Sequence, residues 1–159
     1  MIAMRDIDII DIYIDFDENN IDEFTECVRS IINHTTAMCR FISLPKTLIN
    51  KFTQKPIIND SINYSMFLIP SLNGLTGFAL YLNSNIMVDY DINELWKQRD
   101  VRYDIQFFGC DIKKSGVVLW NCNGFPHRKL NDDVLQTANA DYLKSLDWLN
   151  QERIDYIIS

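Results

Sequence analysis

The chain has 159 residues, 47% hydrophobic and 23% charged, with a formal net charge of −7. These are values of an ordinary globular domain with one core, and they exclude disordered and membrane-spanning classes. The charge is uneven: the first 26 residues hold nine carboxylates against Arg5, a net of −8, and the remaining 13 acids and 14 bases sum to +1.

In chain order, residues 7–16 (IDIIDIYIDF) are β-branched and aromatic with near-alternating polarity, and predict an opening strand with a bulge at the Ile9-Ile10 pair. Asn20 and Glu23 have the spacing of a capping box. Phe24, Val28, Ile31 and Ile32 follow at helical spacing, so a helix is expected over Ile21 to Asn33. Thr36 to Ser43 suits a strand, and Pro45 opens a short helix ending near Phe52. Tyr64 to Ile69 and Gly77 to Leu82, separated by Pro70, Asn73 and Gly74, read as a hairpin. A short helix over Asp91 to Lys97 turns Leu95 and Trp96 inward. A second hairpin pairs Val101 to Phe108 with Val117 to Cys122. Asn131 caps a helix running to Asn150, with Asp132 and Asp133 in its first turn, and Ile154 to Ile158 extends it or forms an edge strand. The sum is a single α+β domain over residues 1–159, a mainly antiparallel sheet of four to six strands packed by a helix in the amino-terminal half and a carboxyl-terminal helix.

Cys27, Cys39, Cys110 and Cys122 lack metal-site spacing, and in the second hairpin Cys122 falls opposite Asp104 or Ile105, away from Cys110. Four reduced thiols in a reducing compartment are expected. With no apolar run long enough to span a bilayer and no basic leader, the expected location is cytoplasmic.

The string DFDENNIDEFTE, Asp15 to Glu26, resembles an EF-hand calcium loop through Asp15, Asp17, Asn19 and Glu26 at positions one, three, five and twelve. It departs from that pattern at Asn20, where the loop needs glycine, and at Asp22, where an aliphatic residue is usual. The strand-end sequence IYIDFD also resembles the opening motif of haloacid-dehalogenase-type phosphatases, which implies Asp15 as nucleophile and Asp17 as general acid/base with magnesium. Asn19 and the Asp132-Asp133 pair do not continue that motif. His34 lies two helical turns from Cys27, and His127, in the GFPHRK loop, reads as an exposed polar residue. Fifteen scattered bases and a pI near 4.7 disfavour nucleic acid.

Charge therefore carries the functional expectation. The chain is similar in type to bacterial immunity proteins. On that reading it is a non-enzymatic, cofactor-free inhibitor whose Asp15, Asp17, Glu18, Asp22, Glu23 and Glu26 face a basic partner such as a toxin nuclease domain. The alternative is a metal-dependent enzyme or calcium/magnesium module using Asp15 and Asp17.

Overall fold

The computed structural model describes residues 8–53, 57, 62–109, 116–123 and 125–157. Six strands form one sheet: β1 (Ile9–Phe16), β2 (Met38–Pro45), β3 (Phe78–Leu82), β4 (Ile105–Phe108), β5 (Val117–Asn121) and β6 (Ile154–Ile157), in the order β2-β1-β3-β5-β4-β6. β1 runs parallel to both β2 and β3, β5 is antiparallel to β3 and β4, and β6 is parallel to β4. The α+β class and the strand number expected from sequence are present; the sheet is mixed, because residues 9–45 fold as a strand-helix-strand unit whose two strands must run the same way. β1 pairs with β2 without interruption from Ile9↔Met38 to Phe16↔Pro45, so the expected bulge does not form.

Alternation along the strands divides the core between two faces. Ile10, Ile12 and Ile14 of β1, Leu80 and Leu82 of β3, and Val117 and Leu119 of β5 lie under helix α1 (Ile21–Ile32), against Cys27 and Ile31. The same face receives Leu95 and Trp96 of the short helix α3 (Asn93–Trp96). Tyr13, Ala79, Tyr81, Val118 and Trp120 point the other way, onto Met66, Phe67, Ile69, Leu143, Trp148 and Leu149. Phe67 is the hub of that side, edge-on to both Trp120 and Trp148 with centroids 6.0 and 5.5 Å away. The helices thus cover both faces of the sheet.

Tyr64–Leu68 and the carboxyl-terminal helix differ from expectation. Tyr64–Leu68 is a 3-10 turn leading into α2 (Ile69–Leu72) instead of a strand: Asn63 accepts the Ser65 N–H at 2.9 Å and starts the turn, and Pro70 sits in the first helical turn, where its missing N–H costs nothing. The single carboxyl-terminal helix is two, α4 (Asp132–Thr137) and α5 (Ala140–Ser145), because the Asn139 side chain recaps the chain on the Tyr142 N–H. Residues 154–157 form edge strand β6, anchored by Asp104, whose fully buried carboxylate accepts Arg153 Nε at 2.9 Å. His127 is buried, edge-on to Trp120 with its Nε2 3.3 Å from the Asp104 carbonyl, where an exposed residue was expected. Burial holds its pKa below the usual histidine value. Among the described cysteines, Cys27, Cys39 and Cys122 are free thiols; Cys110 lies outside the described residues. Among the described residues no helix is long and apolar enough to cross a membrane.

Candidate functional site

In an open sheet of this kind ligands bind in the crevice beyond the carboxyl ends of parallel strands, where connections leave in opposite directions. Here that place is the end of β1. Its chain leaves through α1 to β2 on one side, while β3 lies on the other. The residues just past β1 and β2 line a cleft of about 450 Å³: Phe16, Asp17, Glu18 and Asn19 on one wall, Pro45, Lys46 and Thr47 on the other.

The first wall is a tight turn. Asp17 Oδ1 accepts the Asn19 N–H at 2.9 Å and the Asp17 carbonyl accepts the Asn20 N–H at 2.9 Å, which leaves Asp17, Glu18 and Asn19 exposed at the rim. Asn20 meets Glu23 through its side chain, Nδ2 to Oε2 at 3.0 Å, so the expected box joins two side chains and caps no backbone N–H. The second wall is held from below. The Ser65 hydroxyl donates to the Lys46 carbonyl at 3.1 Å and accepts the Ile49 N–H at 2.9 Å. Lys46 stays exposed on the cleft, the one cation among its lining residues. β3 reaches the same edge and ends at Leu82; the N–H of the next residue, Asn83, donates to the Gly116 carbonyl at 2.8 Å.

Beneath the cleft sits Asp15, 3% exposed. Its Oδ1 accepts Asn63 Nδ2 and the Tyr81 hydroxyl, each at 2.6 Å, and its Oδ2 is buried without a partner. Burial pushes the Asp15 carboxyl above its ordinary pKa, against the two hydrogen bonds and Lys46, which favour the charged form. Tyr81 is pushed well up by its own burial and by Asp15.

The structure places the six acidic residues singled out from sequence in different surroundings. Asp15 faces inward and cannot meet a partner; Asp17 and Glu18 line the cleft; Asp22 and Glu26 are exposed on α1, Glu26 paired with Arg29; Glu23 is half-buried. Asp15, which both metal readings require, is sealed from solvent and held by Asn63 and Tyr81. Among the described residues no group of three or more His, Cys, Asp or Glu side chains is arranged to hold a metal ion. Lys46, Asn63, Ser65 and Tyr81 were missed. The available signal was polar: Asn63 and Ser65 interrupt the otherwise apolar run INYSMFLIP.

No protein-family model matches the chain. Protein CDI of Arabidopsis thaliana is 25% identical over 114 residues, covering 60% of this chain and 44% of that protein. Among solved structures, the glycosyltransferase GlyE of Streptococcus pneumoniae TIGR4 is similar over 92% of this chain and 44% of its own, with 14% identity and a TM-score of 0.61. The bifunctional glycosyltransferase WbbM is similar over 98% of this chain and 40% of its own, with 12% identity and a TM-score of 0.63. The galactosyltransferase LgtC, solved with donor and acceptor sugar analogues, is similar over 92% of this chain and 73% of its own, with 13% identity and a TM-score of 0.57. The chain thus spans less than half the length of Protein CDI, GlyE and WbbM. It shares its fold with the three glycosyltransferases GlyE, WbbM and LgtC. This corrects the expectation of a non-enzymatic immunity protein, which rested on size, acidity and the lack of an enzyme motif: a surplus of carboxylates sets the field around a domain, not its fold.

Proposed function

We propose that the chain is the donor-binding part of a glycosyltransferase, and that the cleft beyond β1 and β2 takes the nucleotide of an activated sugar. The observation that carries this reading is the position of the cleft. It opens at the carboxyl end of the strand where the topology reverses, in a sheet similar to those of three glycosyltransferases.

The lining suits the nucleoside end of such a ligand. Asp17 and Glu18 supply acceptors for ribose hydroxyls or base N–H groups, Asn19 and Thr47 supply groups that donate and accept, and Lys46 counters negative charge. In the transfer the bond from the sugar's anomeric carbon to the phosphate oxygen breaks, a bond from that carbon to an acceptor hydroxyl oxygen forms, and the nucleoside diphosphate leaves with the bonding pair and takes up the hydroxyl proton. The lining residues bind and orient the donor.

Calorimetric titration with UDP, GDP, CDP and ADP, and with a sugar conjugate of each, tests the proposal. At least one nucleotide should bind, and Asp17→Ala and Lys46→Ala should each weaken it severalfold. Absence of binding by the whole panel would refute the reading.

A further inference from the structure

The reading of the cleft as a nucleotide site leaves Asp15 without a task, and its surroundings are unusual for a merely structural residue. A carboxylate 3% exposed, with one oxygen unpartnered, is a costly group to keep inside a sheet. Local rules are broken in this way chiefly where a site demands it.

The bonds around it run to both sides of the cleft. Asp15 directly precedes the wall formed by residues 16–19. Its Oδ1 receives Asn63 Nδ2 at 2.6 Å, and the same amide nitrogen donates to the Leu44 carbonyl at 3.1 Å, immediately before the wall formed by residues 45–47. The Asn63 oxygen accepts the N–H of Ser65, whose hydroxyl in turn holds the Lys46 carbonyl. From the other side Tyr81 of β3 donates to the same Asp15 oxygen at 2.6 Å. One oxygen atom thus joins the carboxyl ends of β1, β2 and β3, and all three residues of the knot are at least 97% buried. The charged and titratable groups around it are Lys46 just past β2, Glu23 and Cys27 from α1, and Tyr81 from β3.

We propose that Asp15, held by Asn63 and Tyr81, is the positioning residue of the cleft: it touches no ligand, and by fixing the distance between the two walls it sets the affinity for the nucleotide. This rests on the nucleotide reading given above. The acceptor oxygen matters here, and the charge does not. Asparagine, which keeps the shape and an oxygen toward both donors, should therefore preserve what alanine destroys.

The test is a titration of the wild type and four variants with whichever of UDP, GDP, CDP or ADP binds the wild type most tightly, each protein also being melted. Asp15→Ala should lose at least tenfold in affinity, Tyr81→Phe, which removes a single donor, about threefold or more, and Asp15→Asn should stay within threefold of the wild type. Ile105→Val deletes a methyl group from the core on β4, away from both walls, and should lower the melting temperature while leaving affinity unchanged. If Asp15→Ala fails to fold, Tyr81→Phe and Asp15→Asn decide the matter. Wild-type affinity in Tyr81→Phe, a tenfold loss in Asp15→Asn, or an equal loss in Ile105→Val would each overturn the positioning role and leave the nucleotide site standing. A wild type that binds none of the four nucleotides overturns the reading beneath it, and this proposal with it.

Discussion

Replacing Arg153 by methionine should be among the most damaging single changes at the β6 edge. Asp104 has a side chain with no solvent exposure. Its Oδ1 accepts Arg153 Nε at 2.9 Å, and its Oδ2 has no partner. Arg153 also donates to the Val101 carbonyl at 3.2 Å, and its own carbonyl accepts the Asp104 N–H at 2.8 Å, so the pair ties the start of β6 to the segment entering β4. Methionine keeps most of the apolar stem and removes the charge, which strands a buried carboxylate; losing one partner of a buried pair costs about 3–5 kcal/mol. Arg153 is 38% exposed, so water replaces part of what is lost and the lower end, about 3 kcal/mol, applies. For a chain of this size that is a fall of roughly 6–12 °C in melting temperature. Urea denaturation followed by tryptophan fluorescence reads it directly, since Trp96, Trp120 and Trp148 are all buried. Asp104→Asn combined with Arg153→Met should recover at least half of the loss, because the stranded charge is gone. A single variant within about 1 kcal/mol of wild type, or a double variant no better than the single, would refute the argument.

Two further outcomes follow from local geometry. His127, with its pKa held below 6.5 by burial, is uncharged in the folded protein while the unfolded chain takes up a proton first. The stability it contributes is present above pH 6.5 and lost as pH falls through its folded value. His127→Gln should therefore flatten the difference in unfolding free energy between pH 7 and pH 5; an unchanged pH slope would mean the ring is not held neutral. Gly77, at φ 72° just before β3, has open space where a Cβ would stand, so Gly77→Ala should cost only the left-handed backbone penalty of about 1–2 kcal/mol. Chemical denaturation showing a neutral substitution would count against that conformation.

Much of the architecture was legible because its signals are short-range. The 3.6-residue spacing of Phe24, Val28, Ile31 and Ile32 marks α1 to within a residue of its end, and the short apolar runs that follow Gly77 and Gly116 mark β3 and β5. Tyr64–Leu72 was misread because Ile62 to Pro70 is buried on every side, and a continuous apolar run has no period to tell a turn of helix from a strand. The site was not legible for a different reason. It depends on which strands lie side by side, and nothing local says that β1 sits between β2 and β3 or that Asn63 and Tyr81, 48 and 66 residues beyond Asp15, converge on one oxygen. The strand-helix-strand succession of residues 9–45 was the clue that went unused, since it implies a parallel pair and hence a carboxyl edge open to a ligand.

The division of the core between two faces has a consequence for how the chain comes off the ribosome. The α1 side of the sheet is furnished by residues 10–119, so its packing partners are made early, strand by strand. The opposite side waits: Phe67, Ala79 and Trp120 are synthesised before Leu135, Leu143, Trp148 and Leu149, which cover them. During that interval the nascent domain carries one finished face and one bare aromatic face. Such a half-built sheet is the kind of surface that chaperones bind and that associates wrongly when they are scarce.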